Sequence, residues 1–165
     1  MKSIQLLIDS TSLHSIKTIL VNRNETLAIV ENNSTGGLLQ AMLALTANSD
    51  QFFTGGIVIN NYKKNETEKL LNPANENFFP DNIPTIADQF SNDIANRFST
   101  DWGLAIIGET GKTSGTSWLA IQYKQRMILS TEVSQPWNGL RTADVIVQKV
   151  VMHFLRSIMC PGNDK

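Results

Sequence analysis

Three polar segments, each directly after a short apolar run, hold the residues of this sequence whose types and spacing could do chemistry. The apolar runs cover residues 26–30, 57–59 and 104–107, and each has the length of a buried strand. If these strands are parallel neighbours, their carboxyl ends meet at one edge of a sheet, where ligands commonly bind. Such a cleft would suit a small phosphorylated or polar metabolite. Its polar side chains would be Asn32, Asn33, Ser34, Thr35, Asn60, Lys63, Lys64, Glu109, Thr110 and Lys112.

The first of these segments, residues 31–37, closes a strand and opens an apolar helix over residues 38–45. A strand, a loop of small residues and a helix leave the first backbone N–H groups of the helix unpaired, which favours an anion. The alternative is a plain tight turn in which Ser34 or Thr35 caps the helix and Gly36 and Gly37 provide steric room. The segment completes neither a P-loop nor a dinucleotide fingerprint, so both interpretations stay open.

The third segment begins Gly108-Glu109-Thr110-Gly111-Lys112-Thr113 and contains the Gly-Lys-Thr of a P-loop. A P-loop needs a further glycine where Ile106 stands, and it must lead into a helix. Residues 116–123 are instead typical of a strand. We therefore exclude a P-loop.

Other catalytic patterns are weak in this sequence. The two histidines and the single cysteine, Cys160, are scattered, so no metal site is expected. A Gly-x-Ser-x-Gly elbow is absent, and no residue is singled out as a member of a Ser-His-Asp triad. Lys63 and Lys64 also fit the solvated start of a polar helix, an alternative to a binding role.

The composition excludes several classes of partner. Of 165 residues, 41% are hydrophobic and 18% charged, and the net charge is −1, which does not predict binding to nucleic acid or to an anionic membrane. A single cysteine rules out an intrachain disulfide and fits a reducing compartment. The first nine residues do not resemble a signal peptide, so a cytoplasmic location is expected.

Alternating helical and strand patterns must position the polar segments. Helical spacing is found in residues 13–20, 83–98 and 142–159, and a late hairpin is predicted with its turn near Lys124 and Gln125. This order indicates one α/β domain over residues 1–165, built around a mixed sheet. The last helix is expected to bury its apolar stripe of Val147, Val151, Phe154 and Leu155.

Three separated motifs resemble the CinA C-terminal domain family, over roughly residues 10–159. They are Ser34-Thr35-Gly36-Gly37; Phe53, Gly56 and Val58; and Gly108-Glu109-Thr110-Gly111 with Gly115-Thr116-Ser117-Trp118. The family includes nicotinamide-nucleotide amidohydrolases, which convert nicotinamide mononucleotide to the acid form and ammonia. The resemblance implies a three-layer α/β/α sandwich with a mixed sheet, a nucleotide-like ligand and no cofactor.

The sequence departs from the family pattern at the residues that the resemblance marks as catalytic. The family's glutamate falls on Asn32, its nucleophilic serine on Asn33 and its activating lysine on Asn65, while its tyrosine falls on Asn60. Arg141 matches the family's arginine, and the family's longer glycine-rich loop is shortened to residues 108–115. The convergence of the three loops and the resemblance together give these predicted ligand-binding positions: Asn32, Thr35, Gly36, Gly37, Asn60, Gly108, Glu109, Thr110, Gly111, Lys112 and Arg141.

Two functional hypotheses follow. In the first, the protein is a catalytically degenerate relative that binds a nucleotide-like or small polar ligand or a protein partner, because an amide can replace neither a nucleophile nor its base. In the second, it is an amidohydrolase in which Ser34 acts with Lys63 or Lys64. The sequence leaves the oligomeric state open, a homo-oligomer included.

Overall fold

The computed structural model describes residues 10–32, 34–59, 82–108, 116–136 and 141–160, and of Arg141 the backbone only. Four helices lie within these residues: α1 Ser10–Arg23, α2 Leu38–Ala44, α3 Ile83–Phe98 and α4 Arg141–Met159. The strands are β1 Leu27–Asn32, β2 Phe53–Ile59, β3 Trp102–Gly108, β4 Ser117–Tyr123 and β5 Arg126–Glu132. A short 3₁₀ turn, Ser49–Gln51, precedes β2.

The five strands form one mixed sheet in the order β2-β1-β3-β4-β5. β1 is parallel to both β2 and β3, whereas β4 runs antiparallel to β3 and β5. Every residue of β1 and β3 is buried, as expected for central strands that are covered on both faces. The carboxyl ends of the three parallel strands therefore lie at the same edge of the sheet.

Two hydrophobic clusters cover the two faces of the sheet. On one face, Ile29 and Leu104 pack with buried residues of α1, α2 and α4. On the other, Val30 and Ala105 pack with α3 through Phe90 and its neighbours. Side chains alternate along a strand, so adjacent residues of one strand serve opposite clusters. The predicted three-layer α/β/α sandwich is confirmed.

Most predicted elements are found where the apolar patterns placed them. α3 begins with Pro84 in its first turn, and the Asn82 side chain caps it by accepting the Thr85 N–H at 2.9 Å. The predicted hairpin turn at Lys124 and Gln125 is confirmed, with positive φ at both residues. Of the stripe expected in the last helix, Val147, Val151 and Phe154 are buried, and Leu155 packs against the same cluster while partly exposed.

Two local expectations are corrected. Glu31 and Asn32, predicted to lie in a loop, complete strand β1 because both pair with neighbouring strands. The apolar helix expected over residues 38–45 ends at Ala44, and only Leu39 and Leu43 of it are buried, because it packs on one face of the sheet. Leu45, just past its end, is 87% exposed.

Glycines at β2 and β3 allow close approach of the layers. A Cβ at Gly56 would collide with the carbonyl oxygen of Ile29 and with the side chain of Gln40. A Cβ at Gly103 would collide with the carbonyl of Ser91 in α3. The register of β1 and β2 also shifts beside Gly55, where Leu27 pairs with Phe53 and Ala28 with Gly55. The helix expected near residues 70–71 and the loop over residues 72–82 lie, apart from Asn82, outside the described residues.

Candidate functional site

Asn32 joins the carboxyl ends of β1 and β3 through its side chain. Its Nδ2 donates to the Gly108 carbonyl at 2.7 Å, and its Oδ1 accepts the Gly108 N–H at 3.0 Å. The backbone pairing of the two strands is last recorded at Glu31 and Ile106. The side-chain amide therefore continues the ladder for one more step, because it offers the donor and acceptor that a peptide group would offer.

The same asparagine also holds the turn that follows β1. Its Oδ1 accepts the Ser34 N–H at 3.1 Å, and its backbone carbonyl accepts the N–H groups of Thr35 and Gly36 at 3.2 and 2.8 Å. Asn32 is fully buried. Its donors and acceptors are thus used within the protein, and it shapes the site without being exposed to a ligand.

Glu31 places a buried carboxylate at the start of α2. It accepts the Thr35 hydroxyl at 2.6 Å and the backbone N–H of Gln40 at 2.8 Å, with a longer bond of 3.4 Å from Leu39 N–H. Burial raises the pKa of Glu31 above its ordinary value of 4.5, and the hydrogen bonds from Thr35, Gln40 and Leu39 oppose that shift in part. The carboxylate therefore fulfils for α2 the capping role that Ser34 or Thr35 was expected to fulfil.

The expectation of an anion held by the N–H groups of this loop is wrong for Thr35 and Gly36. Both N–H groups donate to Asn32, while Glu31 supplies a negative charge at the helix start. Gly37, and not Ser34 or Thr35, stands at the N-cap position in the left-handed region, with φ of 85°. A Cβ there would lie 2.8 Å from Val58 Cγ2, so glycine suits both the turn and its packing on β2.

Two hydroxyls at this edge find no hydrogen-bond partner among the described residues. They are Ser34 Oγ in the loop after β1 and Ser117 Oγ at the start of β4, and both atoms are buried. Gly108 lies between them: a Cβ on it would be 2.5 Å from Ser34 Cβ and 2.9 Å from Ser117 Oγ. We call Ser34, Gly108 and Ser117 the hydroxyl nook.

The structure brings part of the predicted site together. Asn32, Ser34, Thr35, Gly36, Gly37 and Gly108 lie at one edge, and Arg141 is the first residue of α4. The following predicted residues lie outside the described residues: Asn33, Asn60, Lys63, Lys64, Asn65, Glu109, Thr110, Gly111 and Lys112. A single cleft shared by Thr35 and Lys112 therefore stays a prediction.

Sequence reasoning missed Glu31 and Ser117 as parts of the site. Glu31 has a detectable signal, because a charged residue that ends an apolar strand is rarely buried without a specific partner. Ser117 was named only as a member of the motif Gly115-Thr116-Ser117-Trp118 and was not assigned to the site. Its proximity to Ser34 depends on β4 pairing with β3, a contact between distant segments.

Other site types find little support in the described part of the chain. It holds no group of three or more His, Cys, Asp or Glu side chains that could bind a metal. None of its helices is long and apolar enough to cross a bilayer. A shallow groove of about 250 Å³ between α1 and the segment after α2 is lined by His14, Lys17 and four neighbours, none of them a predicted site residue.

Comparison with known proteins gives one consistent family. The model of the CinA C-terminal domain matches residues 9–159. A CinA-like protein of Nostoc punctiforme is 35% identical over 94 residues, 56% of this chain and 22% of the relative. Another from Nostoc sp. is 33% identical over 112 residues, 66% of this chain and 26% of the relative. The chain thus spans about a quarter of the length of these curated relatives.

Solved structures agree on the fold. The crystal structure of a competence or damage-inducible protein from Enterobacter asburiae superposes with a TM-score of 0.72, covering 89% of this chain and 96% of that one. The two sequences are 16% identical. At that identity the likeness establishes the fold alone.

Proposed function

The chain belongs to the CinA C-terminal domain family, and from that premise we propose that it binds a small, nucleotide-like polar ligand without deamidating nicotinamide mononucleotide at a useful rate. The proposed site is the edge formed by the carboxyl ends of β1 and β3. The observation that carries the proposal is the pair Asn33 and Asn65, which stand where the resemblance implies the nucleophile and its base.

The chemistry of asparagine supports the loss of catalysis. A hydrolytic serine attacks only after a base has taken its proton, and a neutral amide does neither step. Losing one member of such a pair already removes most of the rate, leaving what binding and oxyanion stabilisation supply. With both members replaced, turnover of nicotinamide mononucleotide should be close to background.

Retention of the framework supports ligand binding. Asn32 ties β1 to β3 with two side-chain hydrogen bonds, and Glu31 holds the start of α2 with three. These contacts position the loop after β1 whether or not the nucleophile is present. A chain that had lost all use for the site would have no need of a buried carboxylate there, since burying a charge is costly.

The experiment measures ammonia release and thermal stabilisation with nicotinamide mononucleotide. We expect the natural protein to release no ammonia above background and to show a ligand-dependent rise in its melting temperature, because a ligand that binds the folded state stabilises it. An Asn33→Ser, Asn65→Lys double variant restores the family's residues, and any ammonia it releases would establish the lineage. A natural protein that shows neither turnover nor stabilisation would contradict the binding proposal.

The second candidate is an amidohydrolase in which Ser34 acts with Lys63 or Lys64. The observation that favours it is the buried Ser34 hydroxyl, which is not engaged by any described residue. Against it, none of the described lysines, histidines or carboxylates is hydrogen-bonded to Ser34 Oγ, and a misplacement of about 1 Å can cost about 10²-fold in rate. Robust turnover that is abolished by Ser34→Ala would establish this candidate. A cytoplasmic location remains our expectation for either function.

A further inference from the structure

We propose that residues 4–8 of this chain, Ile4-Gln5-Leu6-Leu7-Ile8, bind in the groove between α1 and the segment after α2 and cover its apolar lining. The proposal goes beyond the proposed function and does not depend on it, because none of the residues that line the groove belongs to the predicted ligand site. Residues 1–9 lie outside the described residues, and the groove is the described half of this contact.

The groove has the size and the depth to hold apolar side chains. Its volume is about 250 Å³, and Leu13 in its lining is 7% exposed and belongs to the hydrophobic cluster of this face, so the groove reaches down to the core. Lys17 is half-buried, as a lysine is when its methylene stem lies along apolar surface and its ammonium group stays in water. The other lining residues are Ser10, His14, Thr46 and Ala47.

Helix α2, which leads directly to the groove, presents apolar residues to solvent. Ala41 and Ala44 are exposed, and Leu45, just past the end of the helix, is 87% exposed. The one polar side chain of the helix, Gln40, is instead bonded to β2, because its Nε2 donates to the Ile57 carbonyl at 3.1 Å. A surface helix ordinarily turns its polar residues outward, so this arrangement indicates a surface that another segment covers.

The run at residues 4–8 has the composition that such a groove binds. Four of its five side chains are apolar, and none is charged. In an extended segment alternate side chains point to the same side, so Ile4, Leu6 and Ile8 share one face, while Gln5 and Leu7 share the other. One face of the run can therefore be wholly apolar.

The connection between the run and the groove is short. Ser10 begins α1 and also lines the groove, and only Asp9 stands between it and Ile8. The lining residues from Ser10 to Lys17 extend over about 10 Å of helix, and residues 4–8 span about 13 Å when extended. The run can thus fold back along α1 and cover the whole groove. Tethering keeps its local concentration on the order of millimolar, which favours it over a second copy of the chain.

Disulfide trapping tests the contact directly. Cys160 is free and exposed, so Cys160→Ser provides the background. In it, the pair Leu6→Cys and Ala47→Cys places one thiol in the run and one in the groove, and mild oxidation is followed by electrophoresis without reductant and by a count of free thiols. The control pair is Leu6→Cys with Asn96→Cys, because Asn96 is exposed on α3, across the sheet.

We expect a disulfide within the monomer between positions 6 and 47, and none in the control pair, because a disulfide forms only when the two Cα atoms come within about 7 Å. Disulfide-linked dimers of the first pair would show that a second copy occupies the groove, and they would overturn the proposal. Equal cross-linking in both pairs, or in neither, would overturn it as well.

The melting temperature gives an independent measurement. Leu6→Asp puts a charge where the proposal buries a leucine, so the melting temperature should fall by about 4–8 °C. Gln5→Asp, on the other face of the extended run, is the matched control and should change it by less than about 2 °C. If Leu6→Asp melts at the same temperature as the natural protein, the run stays in water and the proposal is wrong. Neither measurement uses a ligand, so failure here leaves the proposed function standing.

Discussion

The two ends of the parallel strands both bury a carboxylate that is satisfied by hydrogen bonds, but they differ in the polar side chains around it. At the amino ends, Glu25 accepts the indole N–H of Trp102 at 2.8 Å and the hydroxyl of Tyr123 at 2.9 Å. Nearby, Asp101 accepts the N–H and hydroxyl of Thr26 at 2.9 and 3.4 Å. At the carboxyl ends, Glu31 is satisfied as well, yet the hydroxyls of the nook beside it are not.

The comparison separates buried polar groups that are explained by their hydrogen bonds from those that are not. A satisfied group such as Glu25 is explained by the bonds it makes, and it belongs to the framework. The aromatic rings around it, Trp102 and Tyr123 with centroids 4.4 Å apart, close that end with apolar surface. At the other end, glycine and serine leave polar atoms without described partners. Burial alone therefore does not mark function, and neither does a missing partner by itself, because Gln122 Oε1, opposite Gly103 near the amino end of β3, is also buried without a hydrogen-bond partner among the described residues.

The largest expected effect comes from removing the two hydrogen bonds between the Asn32 side chain and the backbone of Gly108, at the carboxyl ends of β1 and β3. Asn32→Ala leaves the N–H and carbonyl of Gly108 buried without partners, which should lower the free energy of unfolding by about 3 kcal/mol. The measurement is urea denaturation followed by circular dichroism. Asn96→Ala, at an exposed position of α3, is the control and should change stability by less than about 0.5 kcal/mol. If Asn32→Ala lowers the free energy of unfolding by less than about 1 kcal/mol, the hydrogen bonds between Asn32 and Gly108 are dispensable for stability.

The second prediction tests the opposite end. Glu25→Gln has nearly the same shape but offers one acceptor oxygen to two donors, so Trp102 or Tyr123 loses its partner. We expect a loss of about 2 kcal/mol in the free energy of unfolding, with an unchanged affinity for nicotinamide mononucleotide. Denaturation and calorimetry on the same preparation give both numbers. A weakened affinity would show that the contacts of Glu25 at the amino ends of the strands influence the ligand site at their carboxyl ends, which would contradict the comparison of the two ends.

The smallest effect is expected from the pH dependence of Glu31. Because burial raises its pKa in the folded protein, the folded state binds the proton more tightly than the unfolded state does. This contribution to stability is complete below the ordinary pKa of 4.5 and is lost as the pH rises through the raised value. The stability of Glu31→Gln relative to the natural protein should therefore increase with pH over that window, by denaturation at a series of pH values. A difference that is independent of pH would exclude the raised pKa.

Much of the fold could be predicted because its signals are local. Buried strands such as β3 are continuous apolar runs, and α3 carries its own start signal in Asn82 and Pro84. The hairpin turn at Lys124 and Gln125 follows from the two strand patterns around it. What the local pattern could not provide is which strands are neighbours, and so which loops meet.

The site was predicted less well because its contacts join distant segments. Whether Asn32 binds a ligand or forms hydrogen bonds with Gly108 depends on β1 lying beside β3, a pairing between residues far apart in the chain. The Glu31 carboxylate reaches Gln40, nine residues later, only after α2 has folded back over the strand. Ser117 becomes a neighbour of Ser34 through the same sheet order. The residue types were enough to place the site at this edge of the sheet. The role of each side chain could be assigned only once its hydrogen-bond partners were known.

The side chain of Asn32 also has a consequence for how this domain can change. Because Gly108 is bound by a side chain from β1 and lies opposite Ser117 in β4, the end of β3 is held from both sides. We therefore expect insertions or deletions after Gly108 to leave the register between β1 and β3 unchanged. The same anchor would tolerate a longer loop grafted at this point, which makes the junction a suitable place to exchange recognition segments between relatives while the scaffold stays folded.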